Sequence, residues 1–267
     1  MNAIDTTFAH LRKQGEKAFI PFLPAGDPNI GATPALAKAL IDAGASLLEI
    51  GFPYSDPIAD GPVIQASYTR ALDLGLKLDE TFAAARKIAD ASPSTPLAAM
   101  VSFSLIHRRG PERFLALAVG AGFSGLIVPD LPVEESLALA DLCGSRDCKL
   151  IQLITPTTSQ DRARRIVRSS SGFLYVVSIA GITGGRIALP PELLDQLRWL
   201  RGETDLPLCV GFGVSQPEHV RTLRDHCDGV IVGSALVRLL EEPGSVEEKA
   251  GRLAALSRSL AGALTPG

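Results

Sequence analysis

The chain has 267 residues, 46% of them hydrophobic but only 5% aromatic, and a formal charge of −3. That length suits one large barrel or two small domains, and the aliphatic bias suits strands buried on both faces of a parallel sheet. The near-neutral charge argues against a nucleic-acid partner, and no apolar run approaches the length of a membrane span.

A first helix is predicted over residues 4–13. The N-terminal stretch Met1 to Gln14 is amphipathic and charged and does not read as a signal peptide, so a cytoplasmic chain is expected. Short aliphatic runs then recur at 18–23, 46–51, 96–101, 122–128, 148–153, 173–177, 206–210 and 229–232, each reading as a buried strand. Helix signals lie between them. Thr33 and Pro34 read as N-cap and first helical residue, with Leu36, Leu40 and Ala43 on one face and Gly44 at the stop. Asp79 is expected to cap a helix running to 89. Asp130 and Pro132 are expected to open another, with Glu134 and Glu135 in its first turn. Leu253, Leu256 and Leu260 mark the last helix.

Eight strand–helix units predict a single (β/α)8 TIM barrel over residues 1–267, with an extra N-terminal helix and an enlarged loop, 52–75, after strand 2. A doubly wound sheet is the structural alternative, but no Gly-x-Gly-x-x-Gly follows the first strand.

The chemistry-bearing residues fall at the ends of strands. In Leu47-Leu48-Glu49-Ile50-Gly51, side-chain alternation puts Glu49 on the face of Leu47, inside the barrel. A buried carboxyl is costly unless paired or used, and no basic residue lies nearby in the strand. Burial raises its pKa toward neutrality, which suits a proton carrier. Asp56 precedes Pro57 and reads as turn chemistry; Asp60, before Gly61, reads equally as turn chemistry or as a second catalytic carboxylate. Gly211-Phe212-Gly213 follows the seventh strand, and Gly233-Ser234-Ala235 follows the eighth and opens a helix. Loops at those two places often cradle a phosphate, with backbone N–H groups and a helix N-terminus facing the anion. Gly184 and Gly185 could supply a third side. Each set alone could be mere turns; both together favour phosphate.

No lysine falls at the C-terminal end of a strand, which argues against a Schiff base. His10, His107, His219 and His226 are scattered, and Cys143, Cys148, Cys209 and Cys227 lack metal spacing, so no metal is expected and the thiols are read as buried hydrophobes. Acid–base chemistry by carboxylates remains.

The run from Leu48 through Glu49, Gly51-Phe52-Pro53-Tyr54-Ser55-Asp56-Pro57-Ile58-Ala59-Asp60-Gly61-Pro62 to Gln65 closely resembles the signature of the tryptophan synthase alpha chain family. Pro21 to Pro28, Val128-Pro129-Asp130-Leu131-Pro132, Gly181-Ile182-Thr183-Gly184 and both glycine loops are also similar to that family's segments. The resemblance implies retro-aldol cleavage of indole-3-glycerol phosphate to indole and glyceraldehyde 3-phosphate. It implies that Glu49 carries protons and that Asp60 meets the indole N–H, with Thr183 closing on Asp60. Phe22, Met100, Ile127, Leu153, Tyr175 and Phe212 match positions around the indole slot, and Gly184, Gly213, Gly233 and Ser234 match the phosphate site. No cofactor is implied for this chain; pyridoxal phosphate belongs to a beta chain, with which an α2β2 assembly is implied through Pro53 and Asp56. Ser102-Phe103-Ser104 departs from the family's Tyr-x-Asn pattern on the side toward that partner, and Gly185 replaces a commoner alanine. Alternatives are another phosphate-binding barrel, such as a sugar-phosphate isomerase or epimerase, and a non-catalytic barrel that activates a partner.

Overall fold

The computed structural model describes residues 1–57, 60–178, 191–211 and 213–265. Nine strands form within them: β1 Ala18–Pro24, β2 Leu48–Gly51, β3 Leu97–Met100, β4 Phe123–Ile127, β5 Lys149–Ile151, β6 Leu153–Ile154, β7 Leu174–Val177, β8 Leu208–Gly211 and β9 Gly229–Val232. All pairings are parallel, in the order β5-β4-β3-β2-β1-β9-β8-β7-β6. β5 and β6 are two halves of one barrel strand, interrupted at Gln152. One half pairs with β4 and the other with β7, and Tyr175 N–H donates to the Gln152 carbonyl at 3.1 Å across the gap. The sheet is thus an eight-position (β/α)8 barrel closed through a broken fifth strand, as the recurring strand–helix pattern predicts.

Two apolar layers follow from the two-residue period of the strands. Ile20, Phe22, Leu47, Ala98, Met100, Ile127, Ile151, Tyr175 and Ile231 fill the interior. Phe19, Leu23, Leu48, Ile50, Leu126, Val176, Val210 and Val232 face outward, against the helices. Leu47 and Leu48 therefore lie on opposite sides of the wall, and Glu49 shares the inner side with Leu47.

The N-terminal helix Ala3–Gln14 covers the barrel floor. Ile4 and Phe8 belong to the inner layer, and the Phe8 and Phe173 rings lie 5.7 Å apart. Asn2 caps the helix, accepting from Ile4 N–H, and its amide donates to the carbonyls of Ser124 and Asp147. Asp5 pairs with Lys149 at 2.6 Å.

Several helix starts differ from expectation. Ala32, not Thr33, is the N-cap of Thr33–Asp42, because the Thr33 hydroxyl accepts from Gly26 N–H at 3.0 Å. Asp79 lies inside Leu78–Ala91 and pairs with Arg109, while Glu80 takes the Lys77 N–H at 2.8 Å. Asp130 does not open a helix; the next begins at Leu137. Asp130 instead accepts from Phe103 N–H at 2.8 Å and from the Ser102 hydroxyl at 2.6 Å, serving the start of helix Phe103–Arg109. The enlarged segment after β2 is largely a helix, Pro62–Asp73, whose Ile64, Ser67, Tyr68 and Ala71 are buried at helical spacing. Among the described residues, no helix is long and apolar enough to cross a membrane.

The helix Pro62–Asp73 is anchored through one buried carboxylate. Asp27, 1% exposed, accepts from Arg70 Nη2 at 2.6 Å and Nε at 3.2 Å and from the Ser67 hydroxyl at 2.6 Å; Arg70 also reaches Glu241 at 3.2 Å. Removing the guanidinium strands a buried charge, a loss of about 3 kcal/mol. Arg70→Met should lower unfolding stability by that order in urea titration, whereas Lys38→Met, which removes an exposed pair with Asp42, should change it by less than about 1 kcal/mol.

Candidate active site

The mouth formed by the C-terminal ends of the strands holds a cavity lined by Phe22, Glu49, Asp60, Met100, Tyr175, Gly213, Gly233 and Ser234, among others. Eight residues expected from different strands and loops thus meet at one place. Ile127 and Leu153 lie in the inner apolar layer, outside the lining. Thr183, Gly184, Gly185 and Phe212 lie outside the described residues. Pro53 and Asp56 line a separate groove on the same face, with Ser102, Ser104 and Asp130.

Glu49 stands in register with Phe22 on β1 and Ala98 on β3 and is fully buried. Neither of its carboxyl oxygens has a hydrogen-bond partner among the described residues. Burial first, then the negative charge of Asp60, pushes its pKa up to about 8. Asp60 is half-buried; burial first, then Asp130, pushes its pKa up to about 6. At neutral pH the pair is therefore a protonated Glu49 facing a largely ionised Asp60, a proton donor and an anion set apart by their environments. Gln65 holds the Asp60 segment in place, its amide donating to the carbonyls of Asp60 at 2.8 Å and Pro57 at 3.2 Å. The phenols of Tyr68 and Tyr175 are pushed well above their ordinary value by burial first, and by both carboxylates after it, so they stay neutral.

Two glycines shape the slot. A Cβ on Gly51 would sit 2.5 Å from the Phe22 ring and 2.6 Å from the Tyr68 hydroxyl; one on Gly211 would sit 2.5 Å from the Tyr175 hydroxyl. No side chain larger than hydrogen fits where these rings pack beside Glu49.

The part of the cavity lined by Gly213, Gly233 and Ser234 has features that suit an anion. Gly213 has φ +79°, a conformation side chains rarely adopt. Gly233 precedes helix Ser234–Glu241, which has no side-chain cap, so its first N–H groups lack intrahelical partners and carry the positive end of the helix dipole. A Cβ at Gly233 would make only ordinary contacts, 3.7–3.9 Å, with Phe22. The protein's own packing therefore leaves room for a side chain at Gly233.

Val63, Ile64, Val214, Ile231 and Arg238 also line the cavity and were not marked by the sequence. Ile231 shares the inward parity of Gly229, and Arg238 lies one helical turn after Ser234, so period alone could have found both. Among the described residues, no group of three or more His, Cys, Asp or Glu could hold a metal ion.

A parallel (β/α)8 barrel with a buried acid, a facing carboxylate and an uncapped helix N-terminus at one mouth defines a class: barrel proteins built to hold a small anionic ligand beside acid–base groups. Residues 8–264 match the family model for the tryptophan synthase alpha chain. The alpha chain of Rhodopirellula baltica is 51% identical over 241 residues, covering 89% of this chain and 86% of that one, and that of Carboxydothermus hydrogenoformans is 45% identical, covering 90% of each. The crystal structure of tryptophan synthase subunit alpha from Legionella pneumophila aligns with TM-score 0.89 at 34% identity over 99% and 98% of the two chains; a chain of the aminoacrylate-bound tryptophan synthase from M. tuberculosis aligns with TM-score 0.88 at 29% identity over 99% and 100%. The chain belongs to the tryptophan synthase alpha chain family.

The Glu49 environment has a thermodynamic consequence. Its pKa is near 8 when folded and near 4.5 as a free carboxyl. Between those values the unfolded chain releases this proton and the folded chain keeps it, so Glu49 weakens the fold progressively as pH rises. Glu49→Gln should therefore gain stability over wild type by roughly 1.4 kcal/mol for each pH unit across that window, levelling off above it. Paired urea titrations from pH 5 to pH 9 measure this; a pH-independent difference would contradict the assigned burial.

Proposed function

We propose that this chain, as the alpha subunit of tryptophan synthase, cleaves indole-3-glycerol phosphate to indole and glyceraldehyde 3-phosphate, with Glu49 moving the protons and Asp60 balancing the charge. The observation that carries the reading is that Glu49, buried and without a hydrogen-bond partner among the described residues, lines one cavity with Asp60; burial raises both pKa values, further for Glu49 than for Asp60.

The chemistry follows from those protonation states. Glu49 gives its proton to indole C3, and positive charge develops on the ring nitrogen. Asp60 accepts the indole N–H and stabilises that charge, which forms only as the reaction proceeds. The Glu49 carboxylate then takes the proton of the glycerol hydroxyl beside C3. The C–C bond breaks, its electrons return to the ring, and the carbinol carbon leaves as an aldehyde. One carboxyl thus donates and recovers a proton in each cycle. Phe22, Met100 and Tyr175 offer the apolar walls for the ring, and Gly213, Gly233 and Ser234 receive the phosphate. The step needs no cofactor from this chain; pyridoxal phosphate belongs to the beta chain, which consumes the indole in an α2β2 assembly. We place its contact at the groove of Pro53 and Asp56, and the chain itself in the cytoplasm, where its four free, buried cysteines suit a reducing compartment.

Glu49→Gln should keep its affinity for a phosphorylated indole analogue and lose cleavage by about 10²–10⁴-fold. In the wild type, kcat/KM should decline above about pH 8, as Glu49 loses its proton, and below about pH 6, as Asp60 gains one. Near-normal cleavage in Glu49→Gln, or a flat profile through pH 9, would overturn the assignment. Addition of a cognate beta chain should raise indole release; an unchanged rate at saturating beta chain would count against the assembly.

A further inference from the structure

Arg238 is the only lysine or arginine lining the cavity that holds Glu49 and Asp60, among the described residues. It sits four residues after Ser234 on helix Ser234–Glu241, hence on the same face, and helical side chains lean back toward the N-terminus. Arg238 thus lines the same cavity as Gly233 and Ser234, one helical turn from the helix start. It is exposed and has no ion pair with another described residue; the nearby acids are engaged elsewhere, Glu241 with Arg70 and Glu242 with Arg252.

The other phosphate-binding residues expected in the described part of the site, Gly213, Gly233 and Ser234, have no charged side chain. A phosphate ester carries a charge of about −1.5 to −2 near pH 7. It must enter a mouth where Asp60 is largely ionised, with Asp130 close enough to raise the Asp60 pKa. The amides of these residues supply directional hydrogen bonds and the partial positive charge of one helix N-terminus, less than the charge of the dianion.

We propose that Arg238 is a phosphate-binding residue of this site, supplying the positive charge that draws in and holds the substrate's phosphate dianion. The proposal rests on the phosphate-binding reading above and deepens it. The guanidinium acts on binding and not on the proton transfers, so its contribution belongs to substrate capture. Because Arg238 is exposed, that contribution weakens as salt screens it.

The test compares two probes, an indolylalkyl phosphate and the corresponding alcohol, binding to wild type, Arg238→Met and Arg238→Lys by calorimetry, at low and high ionic strength. Wild type should prefer the phosphate. Arg238→Met should lose about tenfold of that preference, with alcohol binding unchanged; Arg238→Lys should keep most of it. With indole-3-glycerol phosphate, the Arg238→Met loss in kcat/KM should fall on KM rather than kcat and shrink as salt rises. If wild type shows no preference for the phosphate probe, the phosphate reading itself fails. If wild type shows it and Arg238→Met retains it in full, the phosphate site stands and the role of Arg238 is overturned. Equal weakening of both probes in Arg238→Met would mark a structural role and overturn it as well.

Discussion

The structure turns on a single buried carboxyl. The two-residue period of a strand leaves Glu49 no choice of side once Leu48 and Ile50 pack outward against the helices. Barrel closure then removes water from around it. Most proteins would meet an unpaired interior acid with a cation or hydrogen-bond donors; here no described residue supplies either. The acid is held in its neutral form by its surroundings, and that form is the one the proposed cleavage starts from. The aliphatic wall, which contributes the bulk of the burial, is what allows the fold to tolerate a group that opposes it.

The loops around Glu49 are tied at points remote from the cavity. Asp27, Ser67, Arg70 and Glu241 join the loop after β1, the helix after Asp60, and the end of the helix that begins at Ser234. That last helix is also fixed at its far end, where the buried Lys249 amino group donates to the carbonyls of Leu240 and Glu242. Asp130 has two duties. It holds the start of Phe103–Arg109, beside the groove of Pro53 and Asp56, and its charge bears on Asp60. A disturbance in that groove thus has a short electrostatic route to the carboxylate opposite Glu49.

The barrel was legible because aliphatic runs of strand length recur at helix-plus-loop spacing; for Gly229–Val232 even the boundaries agree. The inward aim of Glu49 followed from parity alone. Helix starts were harder, because Asp79, Thr33 and Asp130 are good cap formers in isolation yet each is drawn to another partner: Asp79 and Asp130 to the distant Arg109 and Phe103, Thr33 to Gly26 in the loop before it. The break at Gln152 has no local signature. Asp60 sits in a loop with no periodicity, so its catalytic reading needed the long match to a family. Arg238 was overlooked for the opposite reason: it looks like any surface arginine until the helix is oriented over the cavity.

The N-terminal helix closes a surface that does not exist when the helix is made. Partners of its buried side and N-cap, Ser124, Asp147, Lys149 and Phe173, come from the fourth to sixth barrel strands and their connections, and Arg12 also donates to the Asp205 carbonyl. During synthesis the first fourteen residues must therefore stay unplaced, with Ile4 and Phe8 uncovered, until more than half the chain has emerged. The floor of the barrel is in this sense masonry laid late by its earliest residues. Contacts of such separation slow folding. They also make the two thirds of the chain from the start to Phe173 one interdependent unit: a nascent fragment ending before Phe173 lacks the floor that would seal its interior.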